Sequence, residues 1–196
     1  MKSAKEYRKE AKEALKGKWG LAIGISLVFS LLLGASGATF IGVIILGGAL
    51  ACGYAYAMVN LMRNKTLSFD NLFEGFRKPS FSATIGYNVK STIFTLLWML
   101  LFYFPAFIAI YRYAMAPYIL MDHPEMTGGE AITASKNLMK GKKWKLFCLE
   151  FSFIGWILLS ILTFGILLLW IEPWMMAAQA AFYESIKDEV PGEIAA

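Results

Sequence analysis

The chain carries one histidine, two cysteines, and no Lys, Arg, Asp or Glu anywhere between Trp19 and Met62. Each scarcity excludes a class of function. The single imidazole, His123, lies in Asp122-His123-Pro124-Glu125. One imidazole and two carboxylates so close in sequence cannot face one ion without a tight turn, and no second ligand cluster accompanies them. That segment reads as a polar helix end before a proline turn. Cys52 and Cys148 both fall in apolar stretches, where free cysteine behaves as a small hydrophobe, so neither a metal site nor a disulfide framework is expected. No P-loop, nucleophile elbow or Rossmann fingerprint occurs. The expectation is a non-enzymatic chain with no catalytic residues, no metal and no cofactor.

The missing charge carries a second message. Of 196 residues, 58% are hydrophobic and 17% charged, against roughly a quarter charged in globular proteins. The uncharged run from Trp19 to Met62 is about twice the ~20 residues that cross a bilayer core. A chain this short cannot bury such a hairpin on all sides. The fold class expected is all-α, a polytopic membrane helix bundle. Leu21 to Gly34, followed by Ala35-Ser36-Gly37, has the make-up of a signal sequence. Its polar lead is long for that role, however, and reads as a helix in its own right.

What is present is an internal duplication at an offset of about 124 residues. Ser3-Ala4-Lys5-Glu6 opens the first copy and Thr127-Gly128-Gly129-Glu130 the second, each a capping box. A glycine suited to a left-handed helix stop, Gly17 or Gly141, closes each helix. Tyr7, Ala11, Ala14 and Leu15 share one face of the first helix, and Ala131, Ser135, Leu138 and Met139 share one face of the second. A Lys-Trp entry follows each glycine, then a pair of apolar segments: Gly20 to Gly34 with Phe40 to Met62, and Leu146 to Leu162 with Phe164 to Ile186. Copy one spans 3–62, a central loop and hairpin 63–121, copy two 127–187, and a short polar tail 188–196.

The positive-inside rule organises these pieces. Seven Lys/Arg precede Trp19, five lie from Arg63 to Lys90 and five from Lys136 to Lys145, while the turns at 34–39, 104–105 and 162–165 carry none. All three clusters share one side if the stretch before Met121 crosses twice, from near Ala83 and turning at Pro105, or forms a re-entrant hairpin. About six transmembrane helices result, with a Pro-broken hairpin between the copies and both termini cytoplasmic. Pro173 is expected to break the last helix.

Lys90, Arg112, Glu150 and Glu172 fall within the spans, where ionisable groups are costly unless paired. Arg112 and Glu172 each lie about two turns from an outer end and are expected to form a buried ion pair, either as bundle glue or in a polar cavity. Lys90 either pairs with Glu150 or snorkels to the interface. Small-residue stripes, Ala49-Gly53-Ala57 among them, allow close helix packing within the chain or between copies. The basic run Lys136 to Lys145 is read as a headgroup contact and not a nucleic-acid patch, because it adjoins a membrane. Lys18, Trp19, Lys140, Lys142, Lys143 and Trp144 are accordingly the candidate contacts to anionic lipid.

Met115-Ala116-Pro117-Tyr118-Ile119-Leu120, Pro124-Glu125 and Glu130-Ala131-Ile132 lead into Ser135 and Leu138-Met139-Lys140-Gly141. With Trp144-Lys145-Leu146-Phe147 and Phe153-Ile154-Gly155-Trp156, this pattern resembles a bacterial family of integral membrane proteins, domain of unknown function 975. The resemblance covers nearly the whole chain. It is strongest from about Pro105 to Pro173, although Pro105-Ala106 stands where the family often has Pro-Gly. The pattern also looks distantly like the membrane domain of some glycerophosphodiester phosphodiesterases, which implies a lipid-proximal accessory role. The resulting expectation is a lipid- or partner-binding module in the bacterial cell membrane. The alternative is a small transporter or export component built around Arg112 and Glu172. A membrane-embedded lipid enzyme ranks third, and a homo-oligomer or a membrane protein partner is compatible with the first two.

Overall fold

The computed structural model describes residues 2–36, 40–77, 81–101 and 103–189, with backbone alone at 36, 40–45, 81, 96–101, 103–107 and 189. The described residues form helices joined by short turns, with no β-strand among them. In chain order these are α1 (Ala4–Ala14), α2 (Trp19–Ser36), α3 (Phe40–Asn64), α4 (Asp70–Arg77), α5 (Phe81–Leu101), α6 (Tyr103–Tyr113), α7 (Ala116–Asp122), α8 (Gly128–Leu138), α9 (Lys143–Phe151), α10 (Ile154–Leu162) and α11 (Leu168–Glu184).

The duplication is visible in local chemistry. Glu6 Oε2 accepts from the Ser3 amide at 2.6 Å and Glu130 Oε2 from the Thr127 amide at 2.7 Å, so both capping boxes close. Gly17 and Gly141 adopt φ of +78° and +72°, the left-handed stop that glycine adopts without steric cost. The apolar faces named above are buried in both helices. Burying a large side chain such as Tyr7 or Leu15 contributes about 1.5–3 kcal/mol, so each short helix is held by its docking and not by propensity alone.

The two amphipathic helices dock at different places. α1 lies on α11 and α9, crossing from copy one to copy two, while α8 packs on α5, α6 and α7. Between α1 and α2 the chain turns by 103°. Three pairs, α2 with α3, α5 with α6 and α10 with α11, pack as hairpins. The turn joining the last pair contains Phe164 and Gly165, both at positive φ.

Several elements depart from expectation. α4 lies in what read as a loop, and packs on α3 so closely that the Ala49-Gly53-Ala57 stripe is used within the chain. A Cβ on Gly53 would land on the Leu72 carbonyl, and one on Gly75 on the Ala49 carbonyl. The fourth expected span is cut into α6 and α7, where Pro117 opens α7 without an amide to donate. The fifth is interrupted at Ser152 and Phe153. The expected break at Pro173 is not there: α11 runs through it unbroken. Pro105 stands in the first turn of α6, where a missing amide is tolerated. Residue 102, residues 37–39 of the expected 34–39 turn and most of the tail lie outside the described residues.

By length and composition, one helix among the described residues could cross a membrane, Lys143–Leu162, running through α9 and α10. α1 with Trp19–Ala35 qualifies as a bent pair. Among the described residues that is one or two candidate spans against the six expected.

Large apolar side chains are exposed in a belt toward the hairpin tips. Leu31 and Ile161 are each 70% exposed, Leu162 77% and Phe164 99%. The opposite end, here called the base, is wrapped by α1, α4 and α8. There Tyr54, Met58, Leu61, Met115, Phe182 and Tyr183 lie in one continuous buried core.

Candidate functional site

At the base the C-terminal ends of α3, α7 and α11 are tied by one arginine. Arg63 donates to Asp122 through both terminal nitrogens, at 2.8 and 2.6 Å, and through Nε to Glu184 at 2.7 Å. Tyr183 Oη also donates to Asp122, at 2.8 Å, and Lys187 reaches Glu184 at 2.9 Å. The planar guanidinium fork suits this bidentate geometry. Cations near helix C-termini are favoured by the helix dipole as well. The three helix ends therefore lie together. Asp122 is committed to this cluster, while His123 Nδ1 pairs with Glu125 at 3.2 Å.

A second polar cluster lies deeper. Glu150 of α9 accepts from Tyr111 Oη at 2.5 Å and from Gln179 Nε2 at 2.9 Å, and Tyr118 Oη reaches Gln179 at 3.4 Å. Glu150 is thus satisfied by neutral donors and not by Lys90. Lys90 is exposed, with its Nζ lying against Gly129 at the start of α8.

Arg112 and Glu172 are not brought together. Arg112 is exposed and close enough to Lys143 for the two cations to repel, whereas Glu172 is half-buried near Tyr54. The reason is lateral. α6 and α11 share a neighbour in α9, where Tyr111 and Gln179 both reach Glu150, but α6 otherwise packs on α5 and α8, and α11 on α1, α2, α3 and α10. Matching depths counted along sequence do not make two helices neighbours.

The candidate lipid contacts divide into two unlike junctions. Lys18 and Trp19 are half-buried, and Trp19 packs against the core. Trp144 is 71% exposed and opens an aromatic ladder along α9, stacked on Phe147 at 5.0 Å, which stacks on Phe151 at 5.7 Å. Lys140 is exposed, and Lys142 and Lys143 are partly so. Trp144 also lines a cleft against the α1 cap, with Lys2, Ser3, Glu6, Tyr7 and Lys145. Lys136 sits over two rings, 5.5 Å from Phe94 and 5.6 Å from Tyr113. The capping carboxyls bear the mark of their bonds. The Ser3 amide and hydroxyl hold Glu6 below its ordinary value, and those of Thr127 do the same for Glu130.

Sequence reasoning missed the Arg63 cluster and α4. The signal for α4 was present in Ser68-x-Asp70, whose Asp70 amide donates to Ser68 Oγ at 3.3 Å, a start that eight residues of weak pattern did not reinforce.

No curated protein and no solved structure matches the chain, so the likeness to the phosphodiesterase membrane domain has no support. A family model described as a protein of unknown function (DUF975) does match, over residues 1–111 and again over 100–190. Together the two matches cover nearly all of a chain whose caps, glycine stops and Lys-Trp entries occur twice, and it belongs to that family.

Proposed function

We propose that this chain is a multi-pass membrane protein with both termini cytoplasmic, acting as a non-enzymatic module that binds anionic lipid or a partner protein at the cytoplasmic interface. The observation that carries this reading is the division of the surface. A belt of exposed leucine, isoleucine and phenylalanine occupies the hairpin ends, and the amphipathic helices α1 and α8, each followed by a lysine-rich junction, wrap the base. Exposed apolar area on this scale marks a surface made to be covered. Three apolar hairpins with uncharged turns are suited to hydrocarbon. Lysines beside tryptophan at the edge of such a belt are suited to anionic headgroups.

The transport alternative loses its original site, since Arg112 and Glu172 stand apart. A polar site for it would have to centre on Glu150, where Tyr111 and Gln179 converge.

Native mass spectrometry of the protein gently extracted from its own membrane tests the reading. Retained anionic lipid that falls when Lys18, Lys140, Lys142 and Lys143 are replaced by glutamine supports it. Release of the chain by an alkaline carbonate wash would refute membrane embedding. Retention of neutral bulk lipid alone would refute lipid recognition.

A further inference from the structure

α1 presents Lys5, Arg8, Lys9 and Lys12 along a groove whose other wall is Trp156 and Trp174, with a volume of about 300 Å³. That is the lower end of the ~300–1,000 Å³ typical of small-molecule sites. The groove is built, not incidental. Trp174 Nε1 donates to the Arg8 carbonyl at 2.8 Å, and Arg8 Nη1 donates to the Ser152 carbonyl, at the break between α9 and α10, at 2.7 Å. The two indoles meet edge to face at 5.6 Å. Lys12 Nζ sits 5.8 Å from the centre of the Trp174 ring, and the Arg8 guanidinium 5.6 Å from that of Phe153.

Its charge is unbalanced. Among the described ion pairs, only Lys9 of these four cations has a carboxylate partner, Glu13 at 4.0 Å. Arg8 Nε is buried with no hydrogen-bond acceptor among the described residues, and a buried charged donor left unmatched is costly. The groove also lies at a boundary. Trp156 is 42% exposed and is followed along α10 by exposed Ile157, Leu158 and Leu159, so the apolar belt begins where the cations end.

The geometry points to a binding groove for an anionic glycerophospholipid, its phosphate held by the cationic face of α1 and its acyl chains lying from Trp156 along α10. Charge complementarity selects an anionic headgroup, and continuity with the belt selects a lipid over a free phosphate. This site rests on the lipid-binding reading above, and adds a location distinct from the Lys-Trp junctions. The docking of α1 on the far copy's helices sets its lysines beside Trp156, at the edge of the belt.

The test is native mass spectrometry of the full chain released from nanodiscs of equal phosphatidylglycerol and phosphatidylcholine. The variants are Lys5→Gln with Lys12→Gln, Trp156→Leu, and a charge-matched comparator, Lys65→Gln with Arg77→Gln. The wild type should retain phosphatidylglycerol selectively. That preference should fall roughly tenfold or more in the Lys5/Lys12 variant, the factor expected for two lysines at an anionic surface. It should fall in Trp156→Leu as well, and persist in the comparator. An equal fall in the comparator would overturn the groove while leaving the lipid reading intact. A loss confined to Lys140, Lys142 and Lys143 substitutions would move the site to that junction and likewise overturn the groove. No selectivity in the wild type would remove the lipid reading and the groove with it.

Discussion

Replacing Gly53 or Gly75 by alanine should separate α4 from α3, and the structure sets the size of the effect. At each position the new methyl would sit well under the 3.0 Å that real Cβ atoms keep from a neighbour, and the neighbour is a backbone carbonyl that cannot rotate aside. Overpacking typically costs ~1–3 kcal/mol, and a clash with backbone on both helices places these sites at the upper end. Against it stands the better helix propensity of alanine, worth ~1 kcal/mol. The net loss is about 2 kcal/mol, or roughly 4–8 °C in Tm for a chain of this size. Cys52 is fully buried beside Gly53 and serves as the reporter. In a Cys148→Ala background, a thiol-reactive fluorophore should label Cys52 at a lower temperature in either variant than in the parent. Gly155→Ala is the control. No heavy atom lies within 4 Å of a Cβ built there, so the same substitution should leave Tm unchanged or raise it slightly. Wild-type labelling in Gly53→Ala and Gly75→Ala would refute the close approach and with it the docking of α4.

Other expectations follow from the caps and the base cluster. Arg63→Ala should lower stability by about 2–3 kcal/mol, below the ~3–5 of a fully buried pair because the cluster is partly solvated. Arg63→Lys should recover less than half of this, having lost the fork; full recovery in thermal melts would show that charge alone matters. Ser3→Ala and Thr127→Ala should each cost about 1 kcal/mol, seen as fraying of the first turn by hydrogen exchange. Because the Glu6 and Glu130 carboxyls are depressed in the folded state, their contribution is complete above the ordinary carboxylate value. It is lost as the pH falls through the depressed one. NMR titration should give midpoints below the ordinary 4.5 for both, and midpoints at or above it would contradict the capping geometry.

The parts of this fold that a reader of the sequence could see are those governed by local rules. A hydroxyl three residues before a glutamate, a glycine at the helix stop and an apolar face repeating at helical spacing each have one structural meaning, and Ser3, Gly17 and Tyr7 kept it, as did Thr127, Gly141 and Ala131. The parts that were hidden depend on which helix lies beside which. Arg112 and Glu172 matched in depth yet face different neighbours. Arg63, Asp122 and Glu184 lay in three distant segments, where each counted only toward a tally of charge. Pro173 had the chemistry of a breaker but sits in the second turn of a helix held on several sides. α4 was too short to declare itself, although Gly53 and Gly75 were the residues that admitted it. In the candidate site, the lysine and tryptophan pairs were legible as types, but which tryptophan faces outward was not.

If the proposed membrane reading holds, the uncharged turns between the paired helices bear on how such a molecule would enter a bilayer. With no Lys, Arg, Asp or Glu at 34–39, 102–107 or 162–166, each hairpin can enter hydrocarbon as a closed pair. No ion has to be dragged across. The work of insertion then reduces to wetting and dewetting a tip such as Phe164-Gly165. On the proposed multi-pass reading, sidedness would be settled at the first basic segment and inherited by each later hairpin, and biogenesis would proceed pair by pair, in the order in which the chain emerges.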